Sequence, residues 1–101
     1  MSKASKACNI TPKVRAAVRE RDCDKCIFCG GRYEQMAHYI KRSQLGRGIE
    51  QNLVCACVKC HMIQESGDAK LNEYMRMYLS SLYENWEELK LTYDKWEWVE
   101  K

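Results

Sequence analysis

The chain reads as a small α+β domain in which strand, glycine-containing loop, strand and helix are pinned by a metal at one end and flanked by a helix on either side. Two Cys-x-x-Cys pairs, Cys26/Cys29 and Cys57/Cys60, predict the pin, because four thiolates delivered by two tight turns make a closed tetrahedral zinc site. Short apolar runs between the pairs predict the strands, and apolar residues at helical spacing outside them predict the helices. At 101 residues there is room for one modest core, which a metal staple usefully supplements.

The elements follow in order. Residues 1–10 are polar and lysine-bearing without periodicity and read as a disordered basic tail before a single domain over 11–101. Thr11-Pro12 is an N-cap followed by proline at the first helical position. Val14, Ala17 and Val18 then repeat at helical spacing, predicting a helix over 12–21 with Arg15 and Arg19 outside. Asp22 to Lys25 turns into the first knuckle, and Gly30-Gly31 lets the backbone double back behind Cys29. Residues 35–40 read as a strand and 41–48 as an irregular loop with two glycines and three basic side chains. Leu53–Ala56 reads as a second strand running into the second knuckle. A helix should begin at His61 and stop at Ser66-Gly67, closing a core over 22–67. The rest, 68–101, is a helical extension. Asp68 caps a helix to about Tyr83, with Leu71, Met75, Tyr78, Leu79 and Leu82 on one face. Trp86, Leu89, Tyr93 and Trp96 are expected to pack on the core, since Glu84, Glu87 and Glu88 would repel phosphates there.

Composition narrows the setting. The basic N-terminus has no apolar segment after it and no run is long enough to span a membrane, so the expectation is a cytoplasmic protein. Seven cysteines in that setting point to metal ligation rather than disulfides, and an odd number fits complete pairing poorly. Cys8, Cys23 and Cys55 are read as non-ligands. Cys23/Cys26 also has the Cys-x-x-Cys spacing, but Cys26/Cys29 is preferred because Gly30 follows it directly. The net charge of +3 divides into +6 for residues 1–50 and −3 for residues 51–101, so the first half is the one suited to a polyanion.

With the frame in place, its contents become specific: Cys26-x-x-Cys29-Gly30, Ala37-His38-Tyr-Ile-x-Arg42-Ser43, Gly46-x-Gly48-Ile49-Glu50-x-Asn52-Leu53 and Cys57-x-x-Cys60-His61. Residues 26–61, about a third of the chain, resemble the HNH endonucleases, or ββα-metal nucleases. They resemble most the small phage and bacterial members in which four cysteines hold a structural zinc. The resemblance implies a ββα-metal core and metal-dependent hydrolysis of DNA, leaving a 5′-phosphate and a 3′-hydroxyl. It implies that His38 is the general base that activates water, a task suited to an imidazole with an ordinary pKa of about 6.5. Asn52 would tie down the loop between the strands and hold the base in orientation. His61 would bind a catalytic divalent ion (Mg²⁺, Mn²⁺ or Ni²⁺), distinct from the zinc, that stabilises the leaving oxygen. Lys41, Arg42 and Arg47, on the loop beside the base, are candidate phosphate contacts.

One position departs from the pattern. Many members place Asp or His just before the base as a second ligand for the catalytic ion, and here that position is Ala37. Glu34 and Glu65 are the carboxylates that could take its place. A catalytically weak or inactive zinc module that binds nucleic acid is therefore the alternative, and a protein-interaction module using the Trp86–Trp98 face is a third reading. His61 could also stand in as a zinc ligand. Small stand-alone members often come from phages and can assist DNA packaging, which makes DNA and packaging proteins the expected partners.

Overall fold

The segment expected to be a disordered tail carries a short helix, Lys3–Cys8 (α1). The computed structural model describes residues 3–93. Cys8 packs as a small apolar side chain, 3% exposed, and the body takes up the backbone beside it. The Ala7 carbonyl accepts from the Gly48 amide at 3.0 Å. Next comes Pro12–Arg21 (α2), started by the Thr11 hydroxyl, which accepts from the Val14 amide at 3.2 Å. Both the cap and the proline stand where the sequence put them.

Gln35–His38 (β1) and Leu53–Ala56 (β2) form a two-stranded antiparallel sheet in which Gln35 faces Ala56, Met36 faces Cys55, Ala37 faces Val54 and His38 faces Leu53. The first strand stops at His38 rather than Ile40, since the Ile40 amide is taken by the Asn52 side chain instead of a ladder partner. Val58–Glu65 (α3) and Ala69–Leu82 (α4) follow. The start of α3 precedes the expected His61 by three residues because Cys57 is its N-cap, its sulfur accepting from the Cys60 amide at 3.4 Å. The second Cys-x-x-Cys turn and the helix start are thus one structure. Asp68 caps α4 through the Leu71 amide at 2.9 Å. Three single 3₁₀ turns fill the connections, at Arg42–Gln44, Glu50–Asn52 and Glu88–Leu91.

Strand alternation gives the sheet two covered faces. Ala37, Val54 and Ala56 pack with Cys26 and with Met75 and Leu79 of α4, while Met36, Leu53 and Cys55 pack with Val18 of α2. Along the edge of β2 that β1 leaves unpaired runs a partly buried polar brace. Arg21 forms a fork with Asp22 at 2.8 and 3.0 Å and donates to the carbonyls of Leu53 (2.6 Å) and Glu50 (2.9 Å) and to the Tyr83 hydroxyl (2.9 Å). Asp22 in turn accepts from the Cys55 amide at 2.9 Å and from the Tyr78 hydroxyl at 2.5 Å. Arg21 remains protonated in the interior because Asp22 and Tyr83 outweigh the penalty of burial.

In the extension, Trp86 does pack on the core, its indole N–H donating to the Gln51 carbonyl at 2.8 Å and its ring 5.8 Å from that of Tyr39. Leu89 does not: it is 91% exposed, and Leu91 is the residue that buries. The 3₁₀ turn rotates Leu91 inward and aims its carbonyl at the Arg47 amide, 2.7 Å away. Trp96 and Trp98 lie outside the described residues. Among the described residues, no helix is long and apolar enough to cross a membrane.

Candidate functional site

Cys26, Cys29, Cys57 and Cys60 converge, with all four sulfurs within 4.8 Å of one another. Zinc–sulfur bonds of about 2.3 Å set tetrahedral sulfurs about 3.8 Å apart, and the Cys29 and Cys57 sulfurs are 3.8 Å apart. That spacing is far too long for a disulfide, whose sulfurs stand about 2.05 Å apart. The first knuckle closes through the Cys26 amide on the Gly31 carbonyl (2.7 Å) and the Gly30 amide on the Cys26 carbonyl (2.9 Å), with Gly30 at φ +77. Cys23, the alternative partner, sits exposed in a left-handed turn at φ 58 and outside the cluster. Cys8 and Cys55 are buried elsewhere, and burial pushes the Cys55 thiol up to about 12, which keeps it inert.

The thiols themselves ask for a cation. Burial opposes ionisation of Cys26, but the amides of Cys29, Cys57 and Phe28 outweigh it and bring the thiol down to about 7. Burial and then the three neighbouring thiols push Cys60 upward. Cys29 also rises, since the pull of the Gly31 amide on its thiolate is overcome by Cys26 and Cys57. Four thiolates this close repel one another, and a divalent ion at their centre removes the conflict. The site fits zinc in ligand type, number and spacing.

His38 ends β1 at the opposite end of the sheet from the cysteines, and it is 8% exposed. It shares its face with Met36, Leu53 and Cys55. Its Nε2 is 3.3 Å from the Cys8 carbonyl, and burial lowers its pKa. Asn52, fully buried, does what a loop tie should. Its Oδ1 accepts from the Ile40 amide at 2.7 Å, and its Nδ2 donates to the carbonyls of Ile40 (3.1 Å) and Arg47 (2.9 Å). Its own carbonyl accepts from the Tyr39 amide at 2.8 Å, directly after His38. Gly46 makes the loop possible, because a Cβ there would lie 1.7 Å from the Ile40 carbonyl oxygen.

His61 lies in the first turn of α3, outside the cysteine cluster, so it is not a fifth candidate for the zinc. Its Nδ1 meets Gln35 Oε1 at 2.5 Å and its Nε2 meets Glu65 Oε1 at 3.2 Å. Of the two carboxylates considered from sequence, Glu65 therefore stands beside His61. Glu34 instead caps α3, accepting from the Val58 amide at 3.0 Å. No hydrogen bond joins His38 to His61 among the described residues. The link from α3 to His38 runs through Gln64, whose Nε2 donates to the His38 carbonyl at 3.3 Å and to Asn72 Oδ1 at 2.9 Å. Ala37 is fully buried against the α4 side and offers no ligand.

The three basic candidates all have partners in the fold. Lys41 Nζ donates to the Glu65 carbonyl at 2.6 Å, Arg42 donates to the Cys8 carbonyl at 3.0 Å, and Arg47 Nε donates to the Thr92 carbonyl at 3.0 Å under the Tyr93 ring. Gln35, Gln64 and the Cys8 carbonyl were not legible as site groups in the sequence. The two glutamines carry no motif, and a backbone carbonyl leaves no trace in residue type. No protein-family model matches the chain, and neither a curated protein nor a solved structure matches it.

Proposed function

We propose that this chain is a metal-dependent endonuclease of the HNH type that hydrolyses phosphodiester bonds in DNA, with a structural zinc that takes no part in the chemistry. The observation that carries the reading is the Asn52 clamp. One buried amide closes the loop directly behind His38, in a chain whose four cysteines gather at the far end of the same two strands. In this reading His38 takes a proton from water as the water oxygen bonds to phosphorus and the bond to the 3′-oxygen breaks. His61, with Glu65 beside it in place of a ligand at Ala37, would hold a divalent ion, whose charge would stabilise the leaving oxygen. Lys41 and Arg42 retain further N–H donors for phosphates, whereas Arg47 is better placed to brace the loop. We place the activity in the bacterial cytoplasm, in a phage-encoded DNA-processing role such as packaging.

The test is plasmid nicking by zinc-loaded protein in Mg²⁺, Mn²⁺, Ni²⁺ or EDTA, with His38→Ala alongside. The expected outcome is metal-dependent nicking that the substitution reduces by at least about 100-fold, the scale of a lost general base, and that weakens steeply with salt. Nicking by His38→Ala at the wild-type rate would end the assignment. A second reading, a non-catalytic zinc-stabilised module that binds DNA, is favoured by the buried Ala37 and the occluded His38. DNA binding with no cleavage in any of the metals would select it.

A further inference from the structure

His61 has a partner on each ring nitrogen, and both partners are oxygens. Nδ1 lies 2.5 Å from Gln35 Oε1 and Nε2 lies 3.2 Å from Glu65 Oε1. Glu65 comes from the next turn of the same helix, where such contacts form by themselves. Gln35 has to be brought from the sheet. It opens β1 opposite Ala56, so its side chain shares a face with Ala37, Val54 and Ala56. Cys57, the N-cap of α3, follows Ala56 directly, and the helix therefore starts from the strand end that Gln35 faces. Glu34 secures the same junction. Its amide donates to the Ala56 carbonyl at 3.0 Å, and its carboxylate accepts from the Val58 amide at 3.0 Å. Two successive residues of the sheet thus hold the first turn of α3 and the ring that hangs from it.

An amide oxygen accepts hydrogen bonds and donates none, so Nδ1 must carry a proton toward Gln35. Nε2 is then the nitrogen with a lone pair to offer, and it is turned toward Glu65. The two atoms suit a single cation. Donors in adjacent octahedral positions, about 2.1 Å from a metal, stand about 3.0 Å apart, close to the 3.2 Å between Nε2 and Oε1. We propose that Gln35 is a positioning residue for a divalent-cation site on α3, fixing the His61 ring so that Nε2 and Glu65 Oε1 converge on one ion. A proton can bridge the same two atoms, and Nε2 releases it to solvent when it takes a cation. The site rests on the endonuclease reading; its dependence on Gln35 is read from cation binding alone, without DNA or cleavage.

The probe is Mn²⁺, which favours oxygen donors and leaves the four thiolates to zinc. It is titrated into full-length, zinc-loaded protein, and the free ion is read by electron paramagnetic resonance. Gln35→Leu removes the acceptor at similar size and should weaken Mn²⁺ binding about 10-fold or more, the scale of a lost partner behind a metal-bound histidine. In a His61→Ala background the same substitution should change nothing further, because Gln35 acts through the ring. Zinc content should stay at the wild-type level throughout. Gln35→Glu keeps an acceptor and should bind Mn²⁺ at least as tightly as the wild type. If Gln35→Leu loses zinc, Gln35→Val, better suited to a strand, takes its place. Unchanged Mn²⁺ affinity in Gln35→Leu, while His61→Ala weakens binding, overturns the proposal and leaves the site standing. An equal loss from Gln35→Leu with and without His61 also overturns it. Should His61→Ala bind Mn²⁺ as well as the wild type, the site on α3 falls, and with it both the role of His61 in the endonuclease reading and that of Gln35.

Discussion

At the scale of single residues, His38 shows how burial ties stability to pH. Its pKa is lowered chiefly by burial; the Cys8 carbonyl and Glu65 act in the opposite direction, and Arg42 and His61 act with the burial. The folded state therefore prefers the neutral ring. A base with a depressed folded pKa contributes stability that is fully present above its unfolded value, about 6.5, and is lost as pH falls through the folded value. Melting temperature measured against pH for the wild type and for His38→Gln should run parallel above about pH 6.5, with the wild type dropping away below it. Parallel curves down to pH 4 would show that the ring is not held neutral. Asp22 is a different case, since its partner cannot neutralise. Asp22→Ala leaves the Arg21 charge buried and strips an acceptor from both the Cys55 amide and the Tyr78 hydroxyl. Breaking a buried pair from one side costs about 3–5 kcal/mol, so the urea midpoint should fall well below that of the wild type. A midpoint within error of the wild type would mean that water reaches Arg21.

At the scale of elements, the loop joining the two strands is the piece on which the site depends. It is held by one side chain and one absent side chain. Asn52 makes three hydrogen bonds to its backbone, and Gly46 leaves room for the Ile40 carbonyl. Gly46→Ala cannot be relieved by a rotamer change, because the new atom would meet backbone at 1.7 Å. The loop should open and release Asn52, at a cost at or above the roughly 1–3 kcal/mol typical of overpacking. Limited proteolysis should then cut within 41–48, where the wild type and an exposed control, Ser43→Ala, resist; equal resistance would show that the loop yields without opening. The same loop marks how far the sequence could be read. Thr11-Pro12, the Asp68 cap and the two strands rest on local rules and were visible. So was Asn52, but only by its place in the frame. The docking of α1, the early start of α3 and the exchange of Leu91 for Leu89 were not visible. Each depends on a contact made across the fold: Cys8 on the His38 side, a thiol acting as a helix cap, and a 3₁₀ turn that rotates the chain. Lys41, Arg42 and Arg47 read as free cations in sequence because their partners are backbone carbonyls, which no sequence displays.

At the scale of the whole molecule, the four-cysteine cluster decides whether the parts stay together. Its ligands come from two segments separated by 27 residues, and Cys26, Cys57 and Cys60 belong to the apolar cluster that seats α4 on the sheet. A bound zinc therefore closes a long loop and staples α3 to the first knuckle at once. Structural zinc contributes on the order of 10 kcal/mol to the folding of small metal domains, comparable to the whole net stability of a domain of this size, about 5–15 kcal/mol. Removing the metal should therefore cost tertiary structure in general, and α3 and α4 in particular. We expect one zinc per chain by mass spectrometry under native conditions, and a chelator should lower the melting temperature and separate the Phe28 and Tyr74 rings, which now stand 5.9 Å apart. The ligand assignment is separable from that result. Cys29→Ser should weaken zinc retention, whereas Cys23→Ser should leave one zinc in place, since Cys23 lies outside the cluster. Loss of zinc from Cys23→Ser with retention in Cys29→Ser would move the first knuckle one register back and undo the geometry on which the site is built.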